Sequence, residues 1–319
     1  MTYSEAIREG MSIRMRENPN VVLFGEDVGA FGGCFGVSAG MFQEFGPERV
    51  RDTPISEEAI AGCAVGAAAT GLRPIAELMF IDFVTVAMDQ IVNQAAKMRY
   101  MFGGKIAMPM VVRMPAGAGT GAAAQHSQSL EAWLTHVPGL KVVYPSCAED
   151  ALGLMLTAID DENPVMFIES KLLYGVKGEV TSKEPIPMGK GKVVKEGKDL
   201  SIITYGRQVY TALDAAKKLA ADGIDAEVID LRSLYPLDKE LIGKTVEKTH
   251  KAIVITEEVK RGGYGGEISA MIAENFFDYL DAPVARIGAL DTPVPFAPNL
   301  EQYYMPDVVD IIYAAKKMF

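Results

Sequence analysis

The chain has 319 residues, 49% of them hydrophobic, and its 31 Lys and Arg stand against 42 Asp and Glu, for a formal charge of −11 and a pI near 4.9. That length suffices for one large or two ordinary domains, each burying a core of its own. The acidic balance argues against a nucleic-acid footprint, which needs clustered Lys and Arg to neutralise phosphates, and against adsorption to an anionic membrane. The uncharged stretch Ala59 to Leu72 is too short to span a bilayer and is diluted by glycine and alanine. Three cysteines (Cys34, Cys63, Cys147) and three histidines (His126, His136, His250) lack zinc-like spacing. Unclustered thiols of odd number fit a reducing compartment, so a cytoplasmic location is expected.

Short β-rich runs alternate with longer helical patterns, the signature of parallel sheets covered by helices. Thr2-Tyr3-Ser4-Glu5 reads as a capping box, so folded structure is expected to begin at once, with no targeting segment. The first half predicts strands at 21–24, 74–78, 110–114, 141–144 and 165–169, near-continuous apolar runs suited to burial on both faces. It also predicts helices at 2–18, 56–70, 82–102 and 148–160, the third stopped by Gly103-Gly104. Between 175 and 198 Gly, Pro, Lys and Glu dominate, predicting a linker that runs into a short hairpin. A second alternating unit follows, with strands at 200–205, 226–230, 252–257 and 284–286, and helices at 208–222, 239–248, 266–278 and 307–317. The expectation is α/β throughout, with one parallel-sheet domain over 1–175, a linker over 176–198 and a second domain over 199–319.

Four segments carry candidate chemistry. In Asp52-Thr53-Pro54-Ile55-Ser56-Glu57-Glu58, Ser56 is a plausible N-cap with two acids in the first turn. They can simply complement the helix dipole. The helix they open is built from Gly62, Gly66 and alanines, however, so its backbone can pack very close to a neighbour, and a carboxylate at its start would sit at a crowded internal boundary. Glu26 and Asp27 fall just past a buried strand, where open α/β sheets bind ligands, although solvated loop acids have the same spacing.

The third segment, Gly117-Ala118-Gly119-Thr120-Gly121-Ala122, follows a strand and matches a loose dinucleotide fingerprint. The acid that would bind a ribose is missing, because the next strand ends at Tyr144-Pro145. A flexible glycine loop presenting His126 is the better reading, with His126 a candidate general acid or base; His136 and His250 read as structural or exposed. The fourth, Arg261-Gly262-Gly263-Tyr264-Gly265-Gly266-Glu267, fits either an anion cradle or a tight strand-to-helix connection, and the connection is favoured.

Taken together, the chain resembles the beta subunits of the thiamine-diphosphate-dependent decarboxylase component of 2-oxoacid and acetoin dehydrogenase complexes. The likeness runs from Tyr3 to about Lys317. It rests on Gly25-Glu26-Asp27-Val28, Asp52-Thr53-Pro54-Ile55-Ser56-Glu57, Gly71-Leu72-Arg73-Pro74, Asp89-Gln90-Ile91-Val92-Asn93-Gln94-Ala95-Ala96-Lys97, Gln125-His126-Ser127-Gln128, Pro138-Gly139-Leu140-Lys141-Val142-Val143 and Asp291-Thr292-Pro293.

The resemblance implies a pyrimidine-binding domain followed by a transketolase C-terminal-like domain, assembled as an α2β2 heterotetramer. The alpha subunit would hold the diphosphate and Mg²⁺ through a Gly-Asp-Gly motif, which this sequence lacks. It further implies that Glu57 hydrogen-bonds the aminopyrimidine ring nitrogen of thiamine diphosphate. Phe83 would stack on the pyrimidine, and Glu26 would be a second acid near the cofactor. His126 would assist acyl transfer to a lipoyl group borne by the dihydrolipoyl acyltransferase core. A structural K⁺ would take oxygens of Met110, Ala158, Ile159, Asp161 and Asn163. The implied reaction is decarboxylation of a 2-oxoacid such as pyruvate, or cleavage of acetoin, then reductive acylation of lipoyl-lysine. The run 77–83 and the segment 100–105 read closest to the acetoin and pyruvate branch. The alternatives are a branched-chain 2-oxoacid substrate, half of a transketolase-type enzyme, a mainly structural assembly subunit, and a nicotinamide dehydrogenase, which last predicts NAD binding by the chain alone.

Overall fold

The structure, a computed structural model, describes residues 1–319. The chain divides into two compact units, one of residues 1–116 and 133–188 and the other of 117–132 and 189–319. The predicted 1–175 domain is therefore interrupted, since 117–132 belongs with the C-terminal residues.

In the first unit the strands β1 (Val21–Gly25), β2 (Val50–Asp52), β3 (Arg73–Glu77), β4 (Val111–Ala116), β5 (Lys141–Val143) and β6 (Val165–Ser170) lie in the order β5-β6-β4-β3-β1-β2. Every pairing is parallel. β4 and β6 are buried along their whole length, which is why they read as near-continuous apolar runs, broken by Arg113 in β4 and by Glu169 and Ser170 in β6. The helix Tyr3–Glu17 starts on the predicted Thr2/Glu5 capping box and lies against the helix Ala148–Asp160. Gly10 is what lets them approach, because a Cβ there would lie 2.9 Å from the Met155 Cβ. Met11, Met15, Leu152 and Met155 seal that contact inside the main core.

The predicted helix over 82–102 is one stack of three geometries: a 3₁₀ turn at Ile81–Phe83, α at Val84–Met88 and Ala96–Met101, and a π stretch at Asp89–Ala95 between them. Sequence periodicity predicts the stack and cannot register the widened turn, which changes hydrogen-bond spacing rather than which residues are apolar.

The second unit contains β7 (Lys192–Lys195), β8 (Leu200–Thr204), β9 (Ala226–Asp230), β10 (Ser233–Tyr235), β11 (Ala252–Val259) and β12 (Ala285–Ala289). Its five-stranded sheet has the order β12-β11-β8-β9-β7 and is parallel except for the edge strand β7, which pairs antiparallel with β9. The predicted hairpin before residue 198 is thus corrected. Val193 and Val194 enter the sheet, and Lys192 and Lys195 mark β7 as an edge. The helices Gln208–Ala221 and Val308–Lys316 close one face over Leu200, Ile202, Ala212, Ala216, Val228 and Ile311. No helix of the chain is long and apolar enough to cross a membrane.

Candidate active site

In the first unit the chain runs from β1 outward to β2 on one side, then returns to β3 on the other and continues to β4. The connections leaving β1 and β3 therefore diverge, and the crevice beyond the carboxyl ends of these two strands is the topological switch point where open α/β sheets bind ligands. Gly25, the last residue of β1, pairs with Glu77 at the end of β3 and with Asp52 at the end of β2. A Cβ at Gly25 would meet Val28 Cγ1 at 2.7 Å and Glu77 Cβ at 3.0 Å, so only glycine lets the chain turn here.

That turn delivers Glu26 to the crevice, with Asp27 following in a left-handed conformation (φ 55°). Two contacts tie the turn to the segment after β2. Thr53 N–H donates to Gly25 O at 2.9 Å, and Gly29 N–H donates to Asp52 Oδ1 at 2.6 Å. The helix Glu57–Ala69 then begins, with Ser56 at its N-cap position but without a side-chain capping bond.

Glu57 is only 7% exposed and Glu26 only 5%, whereas Glu58, one residue on, faces outward. Burial pushes the Glu26 carboxyl above its ordinary value, the Glu57 charge adds to the shift, and the Ser56 backbone N–H opposes it. Glu26 Oε1 is buried with no hydrogen-bond partner. An unsatisfied buried carboxylate oxygen costs on the order of 1–3 kcal/mol, so it marks a position that wants a donor. The structure thus brings Glu26 and Glu57 together, as a buried pair beside Glu77.

Phe83 lies half-buried in the 3₁₀ turn that follows β3. It meets Phe80 edge-on at 6.0 Å between centroids, and Phe80 in turn contacts Phe35 at 5.5 Å. Lys171, itself buried, places its Nζ 5.2 Å from the centre of the Phe80 ring. An aromatic wall of this kind offers a flat ring a face while its own orientation is fixed by edge contacts.

Beneath the crevice sits a network that residue patterns did not single out. Arg113, fully buried in β4, donates through Nε and Nη2 to Glu169 at 2.7 and 2.9 Å and through Nη1 to Glu77 at 2.5 Å. Tyr174 Oη donates to Glu169 at 2.7 Å. The signal was present as an arginine inside an apolar buried strand, which requires paired acids. Burial raises Glu77 against the pull of Arg113, and burial beside Glu169 holds the Tyr174 phenol well above its usual value.

His126 belongs to the other unit. It lies half-buried on the loop 117–132, after Ala123 in a left-handed conformation (φ 57°). The glycine loop before it has no free anion cradle. Its N–H groups are held by the chain's own acids, Ala118 by Glu257 at 2.9 Å, and Gly119 and Gly121 by Glu301 at 2.7 and 3.0 Å. The dinucleotide reading fails on this point. The turn 261–267 is likewise a tight connection, since Glu258 accepts from the N–H groups of Tyr264 and Gly265. His250 caps a helix from an exposed left-handed position.

Met110 precedes β4, Ala158 and Ile159 lie in the last turn of the helix Ala148–Asp160, and Asp161 and Asn163 follow that helix. There the Ile159 and Asp161 carbonyls accept from Arg73 Nη1 at 2.9 and 3.2 Å, and Met110 O accepts from Val165 N–H at 2.9 Å. An internal guanidinium is already the cation for two of these oxygens. No group of three or more His, Cys, Asp or Glu is arranged to hold a metal ion, and none of the three cysteines is in a disulfide.

Comparison with known proteins agrees with this architecture. Residues 1–177 match the transketolase pyrimidine binding domain and residues 189–311 the transketolase C-terminal domain. The chain is 50% identical to the acetoin:2,6-dichlorophenolindophenol oxidoreductase subunit beta of Bacillus subtilis, covering 96% of this chain and 93% of that protein. It is 48% identical to the pyruvate dehydrogenase E1 component subunit beta of Rickettsia bellii, over 100% and 98% of the two chains. Among solved structures it resembles a split-gene transketolase described as an inactive beta4 tetramer, with a TM-score of 0.82 at 26% identity, covering 100% of this chain and 98% of that one. With two transketolase-type domains in this order and near-complete coverage of such relatives, the chain belongs to the family of pyruvate and acetoin dehydrogenase beta subunits.

Proposed function

We propose that this chain is the beta subunit of a thiamine-diphosphate-dependent dehydrogenase component that decarboxylates pyruvate or cleaves acetoin and passes the acyl group to a lipoyl-lysine. The observation that carries the reading is the buried Glu26–Glu57 pair at the switch point, with Glu26 Oε1 lacking a donor. The pair fits an aminopyrimidine, which offers both a ring nitrogen and an exocyclic amine. Thiamine diphosphate, when bound, supplies the carbon nucleophile and the electron sink for the chemistry.

The residues of this chain have simpler tasks. Glu57, desolvated at the first turn of its helix, hydrogen-bonds the ring nitrogen and shares a proton with it. Glu26, whose carboxyl burial pushes above its ordinary value, presents the unpartnered Oε1 as an acceptor for the exocyclic amine. Phe83 gives the ring a face to rest on. His126 donates a proton or hydrogen bond during acyl transfer to the lipoyl group.

Mg²⁺ and the diphosphate fall to an alpha subunit in an α2β2 assembly. The helix Glu57–Ala69 suits such a neighbour, because Ala59, Cys63, Gly66 and Ala69 are exposed and a Cβ at Gly66 would meet nothing within 4 Å. The backbone approach that Gly66 permits is therefore left for another chain. The lipoyl-bearing acyltransferase core is the second partner, and the location is cytoplasmic. The boundaries 1–175, 176–198 and 199–319 are proposed as the evolutionary domains, with 117–132 packed on the second. A K⁺ at Met110, Ala158, Ile159, Asp161 and Asn163 would have to share two carbonyls with Arg73.

The test is Glu57→Gln in the complex reconstituted with the co-purifying partner. Turnover with pyruvate and acetoin should fall at least about a hundredfold, the scale of a lost general acid–base group, with assembly intact. Full activity in an intact assembly would leave this chain a scaffold.

A further inference from the structure

In the second unit the connections from β8 and β11 diverge, so this sheet too has a switch point, beyond Thr204 and Thr256. The position where a ligand would sit is filled by the chain's own segment 117–132. Ala118 is buried in a small apolar cluster with Ala289, Val294 and Tyr304. Its N–H donates to Glu257, and both oxygens of Glu301 are committed, one to Gly119 N–H and the other to Gly121 N–H. Glu301 is 3% exposed and stands on the helix Pro298–Tyr304. Gly117, Gly119 and Gly121 all have positive φ (96°, 99° and 67°), the alternation that turns successive N–H groups toward one anion. Gly117 N–H closes the loop onto Gln128 O at 3.1 Å, bracketing His126.

We propose that Glu301, assisted by Glu257, is a positioning residue: an internal carboxylate occupies the anion nest of the glycine loop and thereby sets the position of His126. This rests on the reading of His126 given above. A glycine-rich loop has high conformational entropy, and the local bond from Gly117 N–H to Gln128 O leaves the turns at Gly119 and Gly121 to be held from elsewhere. Bidentate capture by a buried carboxylate supplies that order from a residue 180 positions away in sequence.

Two measurements on the full chain test this with Glu301→Ala, Glu301→Asp and Glu301→Gln. Hydrogen exchange of the isolated chain should show the amides of 117–128 at least about tenfold less protected in Glu301→Ala, with β8 and β11 unchanged, since charged hydrogen bonds are lost. Glu301→Asp, keeping the charge on a shorter arm, should recover part of the protection, and Glu301→Gln less, because its amide nitrogen repels one of the two N–H groups. In the reconstituted complex, Glu301→Ala should lower kcat for acyl transfer to lipoyl-lysine at least about tenfold, the scale of a misplaced catalytic group, while decarboxylation with an artificial electron acceptor stays within about threefold.

Unchanged exchange in 117–128 overturns the proposal. So does lost protection with undiminished acyl transfer, or an equal fall in both half-reactions. A wild-type complex that neither binds thiamine diphosphate nor decarboxylates would instead sink the functional reading, and the exchange result would still judge the latch by itself.

Discussion

Replacing Arg113 by Met tests the electrostatic floor of the site. The guanidinium makes three charge-assisted bonds to Glu169 and Glu77, and all three side chains are at most 4% exposed. Methionine fills most of the volume but leaves two buried carboxylates without a counter-charge. Breaking a buried pair in this way costs about 3–5 kcal/mol. For a unit of this size each kcal/mol moves the midpoint by about 2–4 °C, so a fall of about 6–20 °C follows.

The loss should depend on pH. Burial already raises the Glu77 carboxyl against the pull of Arg113, and without that guanidinium it rises further above the unfolded value. A carboxyl raised in this way favours the folded state most where both forms are protonated, and stability drains away as pH climbs from the unfolded toward the folded pKa. The gap between wild type and Arg113→Met should therefore be smaller at pH 5 than at pH 8. Thermal unfolding of the full chain followed by circular dichroism measures the midpoint, and hydrogen exchange in β4 and β6 reports on the first unit alone. The further changes Glu77→Gln and Glu169→Gln on the Arg113→Met background should recover more than half of the loss at pH 8. A drop under about 2 °C, or one equal at both pH values, would refute the argument that unpaired buried charge dominates.

Three further tests address other parts of the chain. Burial pushes the Glu131 carboxyl up to about 7, against the pull of the hydrogen bond from Tyr205. The folded state then keeps a proton that the unfolded state releases, and between pH 4.5 and 7 stability should drop by about 3 kcal/mol; Glu131→Gln should flatten that slope in urea midpoints, and parallel curves would contradict it. Gly139→Ala should cost about 3 kcal/mol or more, because φ is 104° and the new Cβ would fall 2.0 Å from Ala96 O. Gly46→Ala, equally left-handed (φ 77°) but facing open space, should cost only about 1 kcal/mol, and equal thermal shifts for the two would disprove the steric account. Asp307→Ala removes acceptors for Val309 and Asp310 N–H at 2.7 and 3.1 Å and should loosen the helix Val308–Lys316 by about 1 kcal/mol, read from its amide exchange.

The sequence by itself determined the elements whose signals are local. Buried parallel strands such as β4 and β6 are apolar over most of their length, the capping box at Thr2–Glu5 starts a helix, and Gly103-Gly104 stops another. Glu26 and Glu57 were legible as candidates because one follows a buried strand and the other opens a helix of small residues. β2, with one buried residue in three, and the edge strand β7 carry too little apolar pattern to be read. Tertiary structure alone decided that Glu26 and Glu57 share one crevice, that Arg113 lies between Glu77 and Glu169, and that the glycine loop before His126 leaves the first unit to be held by Glu257 and Glu301. Those outcomes depend on carboxylates meeting donors dozens to nearly two hundred residues distant. A local window records which groups seek a partner, and only the folded chain brings that partner within hydrogen-bonding reach.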